Sequence, residues 1–286
     1  MLTATSSVVG KGDTPPAVAR KKKAGNLRES ALVVGLRTGV IVLVLVLWQV
    51  MSGPVLPEYA VSKPTSVAVA VWDLLTSSAG WTNIETTAVE VAAGFVIGVA
   101  IGSVMGVLLG TFKLAGRVLE PLAAAFNGIP KIAIAPLFVL FFGLGEYSKI
   151  AIAVTGVAFI MFYNLYLGLR LVDRELNEII RVMGGRGRHV LTYVTIPTLA
   201  PPFFAGLKAG GPLAILGVIG GEFIASFNGL GHLLFTDAMA LDSAGVFAGL
   251  IVLVAMSLIL NSLLTQLDNY VLKRLGLGKR AGQAQV

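Results

Sequence analysis

No cysteine occurs in the 286 residues, which excludes disulfides, thiol nucleophiles, zinc–thiolate centres and iron–sulfur ligation. Histidine is nearly as scarce. His189 and His232 are the two present, and neither has a second histidine or a carboxylate at ligand spacing, so no metal site is expected. Charge is thin as well: Asp, Glu, Lys and Arg make up 13% of the chain, against about 25% in a soluble globular protein. There is no Gly-x-x-x-x-Gly-Lys-[Ser/Thr] loop, no Gly-x-Ser-x-Gly elbow and no His-Glu-x-x-His pair. Their absence removes phosphate cradling on a P-loop, that form of serine hydrolysis and zinc-peptidase chemistry. No catalytic residue is assigned, and the chain does not read as an enzyme.

What is abundant is apolar. Hydrophobic residues reach 56%, the mean hydropathy is +0.85, and the apolar residues lie in long blocks. A helix needs about 20 such residues to cross the hydrocarbon core of a bilayer. Six blocks qualify, near 31–53, 87–111, 122–143, 150–171, 202–225 and 246–267, so the expected class is an all-α membrane protein with six transmembrane helices. Of the 22 lysines and arginines, 18 fall on the side shared by both termini, the 112–121 loop and the 172–201 loop. The positive-inside rule then makes both termini cytoplasmic. Lys63 and Lys149 fall in the opposite loops, and Lys131 and Lys208 within or at the edge of spans. The basic residues flank hydrophobic blocks instead of alternating with aromatics, so nucleic acid is not the expected partner of the +7 net charge.

Residues 1–30 read as a disordered, lipid-facing cytoplasmic tail, 31–270 as the membrane domain, and 271–286 as a basic cytoplasmic tail. A cleaved signal peptide is not expected, because the charged leader is too long. Between the first two spans, Val67, Val71, Leu74 and Leu75 recur at helical spacing, with Ser66 as a candidate cap, and predict a short helix on the outer surface.

The second span carries Gly94, Gly98, Gly102, Gly106 and Gly110, a strict spacing of four. Small residues let backbones approach in lipid, so this stripe reads as a tight helix contact within the chain, or alternatively as a dimer seam. Pro130 and Pro136 each remove a backbone donor from the third span, whose helix must be broken or kinked. Irregular backbone at membrane depth is tolerated where protein or a water-filled cavity covers it. Asn127, Pro130, Lys131, Pro136 and, on the fifth span, Glu222 are therefore candidate linings of a translocation path. The alternative for Lys131 and Glu222 is an ion pair that fastens helices; Glu90 reads as such a fastening.

The 172–201 loop is long for a compact bundle. Asp173 offers a cap, Leu176, Ile179, Ile180 and Met183 recur along one face, and Gly184-Gly185 stop the helix. A second short apolar stretch follows, and Pro197 is expected to end it. This makes an exposed knob suited to docking a cytoplasmic partner.

The residues of that knob resemble a known pattern. Glu178-Ile179-Ile180-x3-Gly184-x9-Val194-x-Ile196-Pro197 keeps every spacing of the Glu-Ala-Ala-x3-Gly-x9-Ile-x-Leu-Pro motif of permease subunits in binding-protein-dependent ABC importers, with isoleucines for the two alanines. Leu56-Pro57, the run Ile129 to Leu137, Phe142 to Glu146, and Gly221-Glu222 followed by Gly229-Leu230-Gly231 resemble the nitrate/sulfonate/taurine branch. The likeness covers roughly Trp48 to Leu275. It implies a type I importer permease fold, a bacterial inner-membrane location and alternating access for a small solute, leaning toward an anion through Lys131. It further implies two permease copies (a homodimer), two ATPase subunits and an external solute-binding protein. ATP and magnesium would sit on the ATPase, with no cofactor on this chain. Glu178 and Gly184 would shape the docking turn, and Arg181, Arg186 and Arg188 would be polar contacts or simply topology charges.

Overall fold

The computed structural model describes residues 17–277, in two compact units divided after Pro57. The first unit is one helix, α1 (Ala17–Met51), whose stretch Leu32–Met51 is long and apolar enough to cross a membrane. It begins inside the segment expected as a tail, of which residues 1–16 lie outside the described residues. Gly53 ends the unit in a tight turn: its φ is +102°, and its N–H donates to Leu56 O at 2.8 Å.

The second unit starts with α2 (Pro64–Thr76). Pro64 opens it, because a first-turn residue has no helical N–H bond to lose. Ser66, expected as the cap, therefore lies inside the helix; the cap position is Lys63. Val67 and Leu74 turn inward. The Ser77 side chain accepts from Gly80 N at 3.1 Å and starts α3 (Ser78–Thr111). Then come α4 (Lys113–Gly128), α5 (Ala135–Phe142), α6 (Glu146–Arg170), α7 (Arg174–Val182), α8 (Gly187–Val190), α9 (Ile196–Ala225), α10 (Leu230–Met239) and α11 (Ser243–Arg274). Among the described residues, five helices are long and apolar enough to span: α1, α3, α6, α8 continuing into α9, and α11.

The central helix is α6, with Ile152, Ala153, Val157, Met161, Phe162 and Leu165 all buried. The glycine stripe of α3 lies on it. A Cβ added to Gly94 would stand 2.6 Å from Ala153 Cβ, one on Gly98 2.7 Å from Val157 Cβ, and one on Gly106 2.9 Å from Leu165 Cβ. Both residue numbers rise together, so α3 and α6 run parallel. On the other flank, Gly206 meets Met161, Gly210 meets Val157 and Gly217 meets Ala153, so α9 runs antiparallel to α6. Asp268 of α11 pairs with Lys208 of α9, and Gly211 faces Leu260, so α11 is antiparallel to α9.

Parallel neighbours oblige the chain between them to return across the bundle. That segment holds the third expected span, and it is not the single helix 122–143. It consists of α4, a 3-10 turn at Lys131–Ile134, and α5. The breaks follow the prolines: Pro130 is extended (φ −62°, ψ 112°), and Pro136 sits in the first turn of α5. A helix of 16 residues and one of 8 give about 24 Å and 12 Å of length, enough together for a return crossing.

Pro197 also differs from expectation. It does not end a helix but sits in the first turn of α9. A π-helical turn at Leu191–Thr195 precedes it. Its wider ring gives the proline room beside the carbonyl of Tyr193, where a regular α-turn would clash.

Gly102 offers a direct check on the α3–α6 contact. A Cβ there would lie 2.3 Å from the Ala158 carbonyl oxygen, which backbone alone cannot yield. Gly102→Leu is expected to cost about 1–3 kcal/mol or more and to lower the melting temperature and folded yield in detergent.

Candidate functional site

The bundle has two chemically different ends. At one lie the C-termini of α3, α6 and α11, the start of α9, and α7. Asp173 caps α7 by accepting from Glu175 N at 2.8 Å. Its far end closes as a Schellman turn: Gly184 N donates to Arg181 O at 3.0 Å and Gly185 N to Ile180 O at 2.8 Å. Gly184 takes φ +78° with nothing within 4 Å of its Cβ position, whereas a Cβ on Gly185 would lie 2.4 Å from Ile180 Cγ2 and 2.6 Å from Ile180 O. Leu176, Ile179, Val182 and Met183 are exposed, Val182 at 88% and Met183 at 81%. Glu178, Arg181, Arg186 and Arg188 are exposed beside them, Ile180 is half-buried, and Val194 turns inward under the loop while Ile196 stays exposed. The exposed apolar residues thus form one edge of α7 flanked by charged side chains.

Next to α7, Glu120 of α4 accepts from Tyr166 Oη at 2.9 Å and Arg170 Nη2 at 2.8 Å, and the Arg170 guanidinium lies 4.5 Å over the Tyr166 ring.

The opposite end holds a buried polar cluster. Lys149 of α6 pairs with Glu90 of α3 and donates to Ser226 Oγ at 3.0 Å. Glu222 of α9, 1% exposed, accepts from Thr87 Oγ1 at 2.7 Å and Gly231 N at 2.6 Å. Gly229 N donates to Asn83 Oδ1 and Leu230 N to Thr87 Oγ1, both at 2.8 Å. Three N–H groups at the start of α10 are thus capped by side chains of α3 and α9. This satisfies donors that would otherwise be stranded in apolar surroundings.

Between the ends, the break at Pro130–Lys131 opens a cavity of about 320 Å³ against Ile152, Gly156 and Ile160 of α6 and Leu213, Leu216 and Gly217 of α9. Its walls are aliphatic apart from Lys131, whose Nζ lies 5.4 Å from the centroid of the Phe159 ring. Pro130 and Lys131 are therefore together; Pro136 is exposed at the start of α5 and Glu222 is packed in the end cluster, neither lining this cavity. The side chain of Asn127, in α4, lies outside the described residues. Among the described residues no three His, Asp or Glu side chains converge as metal ligands.

Sequence reasoning did not single out Asn83, Thr87, Glu120, Tyr166 or Asp268, and it placed Lys149 in a loop. Lys149 is in α6 and 4% exposed, because its partner Glu90 sits at the same level on the parallel helix. A signal existed on α3: Asn83, Thr87 and Glu90 continue the face of the glycine stripe toward the N-terminus, at helical spacings of four, three and four.

A family model described as "Binding-protein-dependent transport system inner membrane component" matches residues 98–276. The riboflavin transport system permease protein RibX of Chloroflexus aurantiacus is 31% identical over 82% of this chain and 87% of its own length. The formylaminopyrimidine transport permease protein ThiX of Halalkalibacterium halodurans is 28% identical over 80% and 92%. The putative aliphatic sulfonates transport permease protein SsuC of Bacillus subtilis is 27% identical over 80% and 84%. In fold, an inward-facing structure of the MetNI methionine ABC transporter covers 73% of this chain and 97% of its own at a TM-score of 0.53, with 20% identity.

Proposed function

The chain belongs to the family of binding-protein-dependent transport system inner membrane components, and from that premise we propose that α7 is the handle by which an ATPase drives it. As an ABC importer permease subunit it is a multi-pass membrane protein of transport, not an enzyme. The observation that carries the proposal is the bare apolar edge of α7, held rigidly by Asp173 and the Gly184–Gly185 turn. The α7 end faces the cytoplasm, where 18 of 22 basic residues fall, and both termini lie on that side. Two permease copies assemble with two ATPase subunits, which bind the ATP and magnesium, and with an external solute-binding protein. Closure of the ATPase pair draws the two α7 helices together and shifts the spans between inward-open and outward-open forms, a bistable equilibrium biased by differential contact.

The solute is a small anion that passes the break at Pro130–Lys131. Lys131 supplies the positive charge in an otherwise apolar cavity, and the relatives' names include an aliphatic sulfonate among chemically diverse cargoes. Uptake by proteoliposomes containing the chain, its ATPase and its binding protein tests the whole reading: it requires ATP and follows the solute that the binding protein selects. Lys131→Glu is expected to lower anion uptake about tenfold or more, since like charges in contact cost several kcal/mol, while the complex still assembles. Full uptake by an assembled Lys131→Glu complex would remove Lys131 from the path.

A further inference from the structure

The two ends of the bundle are fastened by opposite physics. At the Glu222 end the ties are buried: Glu90, Lys149, Thr87 and Glu222 are each under 5% exposed. Opening them would strand charges and donors away from water, so α3, α6, α9 and the start of α10 move there as one body. At the α7 end the tie between α4 and α6 is the Glu120–Tyr166–Arg170 contact, in which Tyr166 is buried but its charged partners Arg170 and Glu120 are 49% and 38% exposed. A half-solvated pair contributes little net free energy, so it can open and close within a transport cycle.

Its position is the telling point. Arg170 is the last residue of α6, and only Leu171, Val172 and Asp173 separate it from α7. Behind α7 lies a crevice of about 640 Å³, lined by Arg170, Tyr166, Thr111, Thr195 and Asn177 among others. Asn177 Oδ1 is buried there without a hydrogen-bond partner. With that space beneath it, α7 does not transmit displacement by pressing on the span ends; the displacement reaches the terminus of α6 first. Across the strut is α4, which approaches closely because Gly116 leaves its Cβ position 3.1 Å from Tyr166 Oη, and which leads directly to the break at Pro130–Lys131.

We propose that Glu120, Tyr166 and Arg170 form a breakable strut that hands the displacement of α7 to α4 and, through it, to the broken span. They are positioning residues, acting through α4 and not on the solute. The inference rests on α7 being the ATPase contact.

The test uses the full complex in proteoliposomes and reads solute imported per ATP hydrolysed. Arg170→Gln and, separately, Glu120→Gln should keep the ATPase bound and hydrolysing while this ratio falls about fivefold or more, the lower range of an allosteric coupling. Because the chain has no cysteine, a Glu120→Cys/Arg170→Cys pair can be joined selectively by a short thiol-cleavable crosslinker. Joining it should abolish the reduced uptake that the unjoined pair retains, and cleavage by reductant should return uptake to that reduced level. An unchanged ratio in both single variants, or full uptake with the pair joined, overturns the strut. Ordinary ATPase retention and uptake by a Val182→Asp/Met183→Asp chain instead overturn the reading of α7, which separates the two failures.

Discussion

A chain carrying Val182→Asp and Met183→Asp is expected to insert and fold as the parent does, yet to lose its ATPase and with it ATP-driven uptake. Both side chains stand almost wholly in solvent, so the bundle loses nothing by the change. In a complex they would be covered, and burying each fully contributes about 1.5–3 kcal/mol. Losing both contributions and placing two carboxylates in an apolar contact weakens binding by about 100-fold or more. Co-purification of ATPase with the tagged chain measures it; ordinary retention with ordinary uptake would place the motor's grip elsewhere. The turn that holds this edge gives a graded companion series. Gly185→Leu collides with the Ile180 carbonyl and should uncouple transport most. Gly184→Trp meets no atom but forces a side chain to φ +78°, about 1–2 kcal/mol of backbone strain, and Gly184→Asn should be milder still.

Lys149→Met is expected to produce the largest loss of stability of any single conservative-volume change at the opposite end. It leaves Glu90 buried without its counter-charge, and breaking a buried pair costs about 3–5 kcal/mol. Adding Glu90→Gln should return most of that loss, because the double variant no longer buries Glu90 without its counter-charge. Melting temperatures of wild type, both single variants and the double variant in one detergent give the coupling directly. If the double variant melts no higher than Lys149→Met, the pair is not what holds α3 to α6 there. Glu222→Gln should be milder, since the amide oxygen can still accept from Thr87 or Gly231.

Several features were legible because they depend on neighbours within one or two helical turns. The cap at Asp173, the stop at Gly184-Gly185 and the interruption at Pro130 and Pro136 are local consequences of side-chain oxygens, a positive φ and missing N–H groups. Hydropathy placed the long spans but overstated continuity at 122–143, where averaging over a window hides two prolines. Pro197 misled for the opposite reason: a proline reads as a terminator unless the preceding turn widens, and that widening at Leu191–Thr195 has no short-range mark. Lys149 misled because its nearness to a span boundary says nothing about whether a carboxylate waits on the next helix.

The sequence alone determined that this chain lives in a bilayer, that α3 presents a face where a backbone can come close, and that a capped amphipathic helix interrupts the spans. Only the tertiary structure decided that the close face meets α6 in parallel, that Lys149 belongs to Glu90, that Glu222 caps α10, and that Lys131 borders a cavity. The division is physical. Propensity, capping and hydropathy are sums over adjacent residues, whereas the choice of partner compares whole helix surfaces brought together from distant parts of the chain, and that comparison is made only in the packed state.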